Sequence, residues 1–158
     1  MNPIGLAYRE EVISLVIQDD DSNSPGGKDS PLQQWRTFHF GTASNSGDAA
    51  DGFDFDQDGL SNFLEFALAT NPTVVNSQPI NFEVDRADAI FTYTRNTNAM
   101  SAYNFQVIWS DGLSSEEWSQ DTITEEIISK NEGIQQVKAS SPINDMARRF
   151  FRLRISPK

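Results

Sequence analysis

The chain has 158 residues, of which 37% are hydrophobic and 22% charged, so it is long enough for one ordinary domain and too apolar to be intrinsically disordered. The formal net charge of −11 is concentrated in the first 75 residues, where it should attract cations and repel phosphate backbones, so nucleic acid is not an expected partner. The absence of cysteine excludes disulfide scaffolds and thiolate zinc sites, and no stretch is apolar for long enough to predict a membrane span.

The first segment, residues 1–21, contains one predicted strand. Residues 8–17 are rich in β-branched side chains and are followed by the acidic run Asp19–Asp21. Residues 22–30 carry Ser, Asn, Pro and two adjacent Gly, a composition typical of a flexible linker. A single strand cannot bury itself, so we predict a boundary between this segment and the rest of the chain. The first residues show neither the basic nor the apolar region of an export signal.

Two short amphipathic helices are predicted after the linker, one on each side of an acidic loop. Ser30 followed by Pro31 is typical of a helix start, and Gly41 is typical of a helix end. Residues 60–69 predict the second helix, which should stop before Asn71-Pro72 because a residue that precedes proline disfavours helical geometry. The predicted apolar faces consist of Leu32, Trp35 and either Phe38 or His39 in the first helix, and of Leu60, Phe63, Leu64, Ala67 and Leu68 in the second.

From residue 77 to residue 158 the hydrophobic pattern changes to a period of two, which indicates β-strands. Several short strands that are separated by turn residues favour an antiparallel β-sandwich. In one predicted strand, Tyr103, Phe105, Val107 and Trp109 share a face. The predicted strands are residues 89–95, 103–109, 122–128, 134–139 and 148–155, with turns at 131–133 and 140–144.

The acidic loop Asp54–Glu65 matches the twelve-position calcium motif D-x-[DN]-x-[DN]-G-x₅-E at every specified position. Calcium is a hard ion that binds about six to eight oxygens, and carboxylates at alternate positions of a tightly coiled loop can supply several of them. Gly59 permits the sharp turn that the motif requires. The predicted ligands are the carboxylates of Asp54, Asp56 and Asp58, the backbone carbonyl of Leu60, Asn62 directly or through water, and a bidentate Glu65.

Other polar and aromatic residues have plain structural explanations. Asp48 and Asp51 could add a metal oxygen, but we predict a solvated approach to the loop. His39 is the only histidine and is expected to pack on its helix, so no histidine-dependent triad is predicted and the chain is not expected to be an enzyme. Trp109 and Trp118 are expected to pack in the β region, and the alternative is a carbohydrate-binding or adhesion module that uses both rings.

Several motifs occur together in the C-terminal part of the chain. The calcium loop is followed by Phe66–Pro72, then by Tyr103 to Trp109 with Trp118 nine residues later, and finally by Arg148–Arg154. This arrangement resembles the C-terminal module of many large secreted proteins of Verrucomicrobia and related bacteria. Its loop is similar to those of dockerin and of thrombospondin type 3 repeats, although those repeats are tandem and this chain has one loop. Residues 1–21 resemble the last strand of a Calx-β domain.

These resemblances imply a non-catalytic accessory module that calcium stabilises, in an extracellular or cell-surface position. They also imply that Met1 opens a fragment, or a truncated reading frame, of a longer exported protein, whose upstream domains would be partners of this module. They imply no substrate, and a polysaccharide or a cell surface is a further candidate partner. Asp19–Asp21 are not assigned to a site. The expected fold is α+β, with a remnant strand at 1–21, a linker at 22–30, a helix–calcium loop–helix segment at 31–76 and an antiparallel β-sandwich at 77–158.

Overall fold

The computed structural model describes residues 28–75, 78–85, 87–112, 117–143 and 149–158. Within these ranges the chain forms two short α-helices followed by six β-strands. The predicted strand in residues 1–21 and most of the predicted linker lie outside the described residues. The coarse expectation of an α+β fold with two short helices and antiparallel sheets is confirmed.

Helix α1 spans Pro31–Phe40 and is defined by local signals at both ends. The Gln33 backbone N–H donates to Ser30 Oγ and the Ser30 backbone N–H donates to Gln33 Oε1, which makes a reciprocal capping box. Gly41 adopts the left-handed conformation that ends the helix. Of the two alternatives for its apolar face, Phe38 is 83% exposed, whereas His39 packs on Trp35 with ring centroids 4.7 Å apart.

Helix α2 spans Asn62–Leu68, which is shorter than the predicted range of 60–69. Leu60 and Ser61 precede the helix, and Ala69 ends it in a left-handed conformation. Each of its seven residues is buried, including Glu65. The sequence pattern predicted one apolar face, but the helix is enclosed on all sides because the loop, α1 and the β-strands surround it. This helix is therefore part of the hydrophobic core rather than a layer on its surface.

The strands form two antiparallel sheets within the described residues. One sheet has four strands in the order β1-β2-β5-β4, and the other pairs β3 with β6. Neighbours in space are therefore often distant in sequence, as in the pairing of β2 with β5. The strands are β1 (Ile80–Asp85), β2 (Asp88–Asn96), β3 (Tyr103–Ser110), β4 (Thr124–Asn131), β5 (Ile134–Pro142) and β6 (Phe150–Pro157).

The predicted limits of three strands are wrong. β6 was predicted at residues 148–155 and spans Phe150–Pro157. β4 begins at Thr124 rather than at residue 122 and continues to Asn131, because Thr122 has a positive φ of 66° that belongs to a turn. The β4–β5 connection is a tight turn in which Glu132 and Gly133 both have positive φ. β5 then runs to Pro142, through most of the turn predicted at residues 140–144.

A single hydrophobic core joins the helices to both sheets. The two segments predicted at 31–76 and 77–158 both contribute to it. Thr94 Oγ1 donates to the Leu68 carbonyl at 2.6 Å and Asn96 Nδ2 donates to the Phe66 carbonyl at 3.1 Å, so side chains of β2 satisfy the C-terminal carbonyls of α2. The most deeply buried large side chains of the core are Phe63, Phe66, Leu68, Tyr93, Val107, Val137, Leu153 and Ile155. Among the described residues, none of the helices has the length and apolarity that a membrane span requires.

Candidate metal site

Three aspartates converge at the start of the acidic loop. One carboxylate oxygen each from Asp54, Asp56 and Asp58 lies within 4.8 Å of the other two. The loop coils tightly because Gln57 and Gly59 adopt positive φ angles of 63° and 96°. This coil directs the side chains at alternate positions toward one centre.

Backbone N–H groups of the loop hold each of these carboxylates in place. The Gly59 N–H donates to Asp54 Oδ2 at 3.0 Å, and the Asp58 N–H donates to Asp56 Oδ1 at 3.1 Å. The Leu60 N–H donates to Asp58 Oδ1 at 2.9 Å. The loop thus uses one oxygen of each aspartate to fix its own conformation.

The second oxygens of two of these aspartates are in an unusual environment. Asp54 Oδ1 and Asp56 Oδ2 are shielded from solvent and accept no hydrogen bond within the part of the chain that the structure describes. Shielded polar oxygens in proteins almost always have a partner, such as a hydrogen-bond donor, a water molecule or an ion. Several oxygens that are gathered and shielded in this way are suited to a hard cation such as calcium.

Glu65 lies on α2 at the last position of the motif and has 0% relative exposure. It is outside the 4.8 Å group of aspartate oxygens. Burial raises the pKa of Glu65 to about 8, and the negative charges of Asp56, Asp58 and Asp54 also contribute. Thr70 Oγ1 donates to Glu65 Oε1 at 3.3 Å and partly opposes this rise in pKa. A carboxylate that is buried beside other carboxylates requires either a proton or a cation.

The two remaining predicted ligands are both buried, and each makes structural contacts. Leu60 belongs to the hydrophobic core, as predicted for its side chain, and the role of its carbonyl stays a prediction. Asn62 Nδ2 donates to the carbonyls of Asp48 and Ala50, at 2.8 Å in both cases. Asn62 therefore fixes the segment that leads into the loop, while its Oδ1 atom is buried and accepts no hydrogen bond from the described residues.

The two ends of the loop are joined by backbone hydrogen bonds. The Asn62 N–H donates to the Phe53 carbonyl at 2.8 Å, and the Phe63 N–H donates to the Asp51 carbonyl at 3.1 Å. These bonds also satisfy N–H groups at the start of α2, which would otherwise lack an intrahelical partner. The loop is therefore closed at its base by its own backbone.

A buried ion pair at this base was not found by sequence reasoning. Arg36 on α1 and Asp51 are only 2% and 5% exposed, and Arg36 Nη2 lies 2.6 Å from Asp51 Oδ1. The expectation that Asp51 is part of a solvated approach is therefore wrong, because its carboxylate is enclosed by Arg36 and Asn45. Asp48 is exposed, as predicted. The spacing of Arg36 from Leu32 was the available signal, since residues four apart share a helix face.

The tryptophans of the β region are half-buried and stack against arginines. The Arg149 guanidinium lies 3.7 Å from the ring centroid of Trp109, and that of Arg152 lies 3.9 Å from the ring of Trp118. Trp109 Nε1 donates to the Asp121 carbonyl at 2.7 Å. One face of each ring is thus covered by a cation of the same chain. These contacts favour a packing role for both rings over stacking on a sugar.

The chain was also compared with known proteins. No protein-family model matches it, and no curated protein matches it. Its membership of a family therefore stays a prediction from its motifs, and functional conclusions depend on the geometry of the site.

Proposed function

We propose that this protein is a non-catalytic module that calcium stabilises, and that the ion binds in the Asp54–Glu65 loop. The observation that carries this proposal is the convergence of Asp54, Asp56 and Asp58, one oxygen of each lying within 4.8 Å of the other two. The shielded Oδ1 of Asp54 and Oδ2 of Asp56 support it. A divalent cation removes the cost of gathering these charges. Asp54, Asp56, Asp58 and Glu65 would supply carboxylate oxygens, and the Leu60 carbonyl and Asn62 are the further proposed ligands.

Calcium suits this donor set better than a transition metal. The proposed donors are all oxygens, and hard oxygen ligands favour calcium, magnesium or manganese. The softer metals favour imidazole or thiolate ligands, but the chain has no cysteine and its one histidine packs on Trp35 of α1. Magnesium requires strict octahedral geometry and keeps its waters, so we expect it to substitute poorly.

A structural role follows from the position of the loop. The helix that carries Glu65 also places Phe63, Phe66 and Leu68 in the core. Calcium would relieve the repulsion that the loop carboxylates exert on this helix, and its binding energy would add directly to the stability of the fold. We further propose an extracellular or cell-surface position, because calcium modules there bind at about 10⁻⁴ to 10⁻³ M and find calcium at such concentrations. Upstream domains of a longer protein and a polysaccharide or cell surface are the proposed partners.

Calorimetric titration of metal-stripped protein tests this function. We expect saturable binding of calcium and a rise in the melting temperature at millimolar calcium, because bound calcium stabilises the fold by about 1.4 kcal/mol at a tenfold excess over Kd. Asp54→Asn should remove most of the binding, whereas Asp48→Asn should retain it. These two variants are matched in chemistry, but only Asp54 lies in the group of converging oxygens. If the wild type melts identically in calcium and in EDTA, the proposed function is wrong. A submicromolar Kd would contradict the proposed location.

A further inference from the structure

The ion pair between Arg36 and Asp51 joins α1 to the base of the loop. Two nitrogens of the Arg36 guanidinium donate to Asp51 Oδ1. Nη2 lies 2.6 Å and Nε lies 3.2 Å from this oxygen. The other terminal nitrogen, Nη1, donates to the Ala43 carbonyl at 3.2 Å. The planar guanidinium therefore spans two parts of the segment between α1 and the loop.

Asp51 is itself at the point where this segment meets α2. Its carbonyl accepts the N–H of Phe63, and its own N–H donates to Asn45 Oδ1 at 2.7 Å. Asn45 Nδ2 also donates to Asp51 Oδ2 at 3.3 Å. A displacement of Asp51 would consequently disturb the hydrogen bond between its carbonyl and the Phe63 N–H. It would also disturb the start of α2, the helix that carries Glu65.

The segment before the loop needs such an anchor because it has little regular structure. Bends, a three-residue 3-10 helix at Gly47–Ala49 and a turn connect α1 to the first aspartate of the loop, so no α-helix leads directly into it. Hydrogen bonds from side chains take the place of an entering helix. Arg36 and Asn62 provide them from α1 and α2 respectively.

We propose that Arg36 is a positioning residue for the calcium loop, acting through Asp51 to hold the entering segment of the loop against α2. This inference rests on the proposed function and extends the calcium site to α1. Buried ion pairs contribute little net stability, because the loss of hydration offsets the attraction between the charges. Their geometry is nevertheless fixed, and residues that hold metal ligands in place commonly change metal affinity when they are replaced. Arg36 thus holds the entering segment of the loop in place before the cation binds.

The test measures calcium affinity rather than stability. Calorimetric titration of the full chain would compare wild type, Arg36→Met, Arg36→Lys and Val137→Ala at a temperature where near-UV circular dichroism shows each to be folded. Arg36→Met should raise the Kd for calcium by about 10- to 100-fold. Arg36→Lys should have a smaller effect, since an ammonium keeps the charge but not the planar fork. Val137 is fully buried in β5, so Val137→Ala should lower the melting temperature and leave Kd unchanged.

The outcomes separate this inference from the proposed function. If the wild type binds calcium and Arg36→Met binds it with the same Kd, Arg36 is not a positioning residue. An equal rise in Kd for Val137→Ala would also overturn the inference, because general destabilisation would then explain the effect. If Arg36→Met does not fold, Arg36→Lys serves as the test. A raised Kd for calcium would support the inference, and an unchanged Kd would overturn it. If the wild type does not bind calcium, the proposed function fails and this inference fails with it.

Discussion

Replacing Glu65 with glutamine should make the metal-free protein more stable at high pH. The side chain is completely buried, and burial together with Asp56, Asp58 and Asp54 raises its pKa to about 8 from the usual 4.5. Between these two pH values the folded protein keeps a proton that the unfolded chain has released. The free energy of unfolding of the wild type therefore falls as the pH rises through this window.

The size of this effect follows from the pKa difference. A difference of about 3.5, at about 1.4 kcal/mol for each pKa unit, corresponds to about 5 kcal/mol of unfolding free energy at pH 8 and above. Glutamine is neutral at every pH and has nearly the same shape, so Glu65→Gln should not show this loss. Glutamine is also a better probe than alanine, because a buried alanine would leave a cavity in the core. Near pH 4.5 the two proteins should have similar stability.

Urea unfolding in EDTA, followed by near-UV circular dichroism from about pH 4.5 to pH 8, measures this difference directly. The same series in millimolar calcium should show a smaller loss of wild-type stability at high pH, because calcium binds the ionised carboxylate of the wild type and glutamine cannot replace it as a bidentate anionic ligand. If wild type and Glu65→Gln have the same pH dependence in EDTA, Glu65 is not the buried acid described here. If calcium stabilises both equally, Glu65 is not a ligand.

Three further predictions concern the core and the limits of the folded unit. Val107→Asp should lower the melting temperature strongly, because Val107 is buried in the core and the new charge would lack a partner; an unchanged melting temperature would contradict its placement. Phe38→Ser should change the free energy of unfolding by less than about 0.5 kcal/mol, since this ring is exposed, and a larger loss in thermal melts would place Phe38 in the core. Removal of residues 1–28 should preserve cooperative unfolding in urea, because the hydrophobic core of the described residues begins at Leu32, and a non-cooperative transition would show that the removed segment completes the fold.

The elements that sequence reasoning placed well have local causes. Ser30, Pro31 and Gly41 define α1 through hydrogen bonds and backbone angles within a few residues. The alternation of Tyr103, Phe105 and Val107 predicted their shared face in β3, where Val107 lies in the core and the two rings pack against it. Sheet order could not be predicted in the same way. The pairing of β2 with β5, and of β3 with β6, depends on packing between residues that are far apart in sequence.

The metal site also combines features that are visible in the sequence with one that depends on tertiary packing. Gly59 and the spacing of the aspartates are visible in the sequence, and the structure brings Asp54, Asp56 and Asp58 together. The ion pair between Arg36 and Asp51 was missed because a periodic pattern treats charged side chains as solvated. The spacing of Arg36 from Leu32 indicates an inward position on α1, but only the tertiary structure shows that Asp51 lies opposite.

Helix α2 connects the acidic loop to the β-sheets. A helix of seven residues has little stability of its own, so its conformation depends on what holds its two ends. At its N-terminus the base of the loop satisfies the N–H groups of Asn62 and Phe63, and at its C-terminus Thr94 and Asn96 of β2 bind its carbonyls. A change in the charge of the loop therefore acts on the same helix that packs in the hydrophobic core with residues of both sheets. For this reason we expect calcium to stabilise the whole fold and not the loop alone.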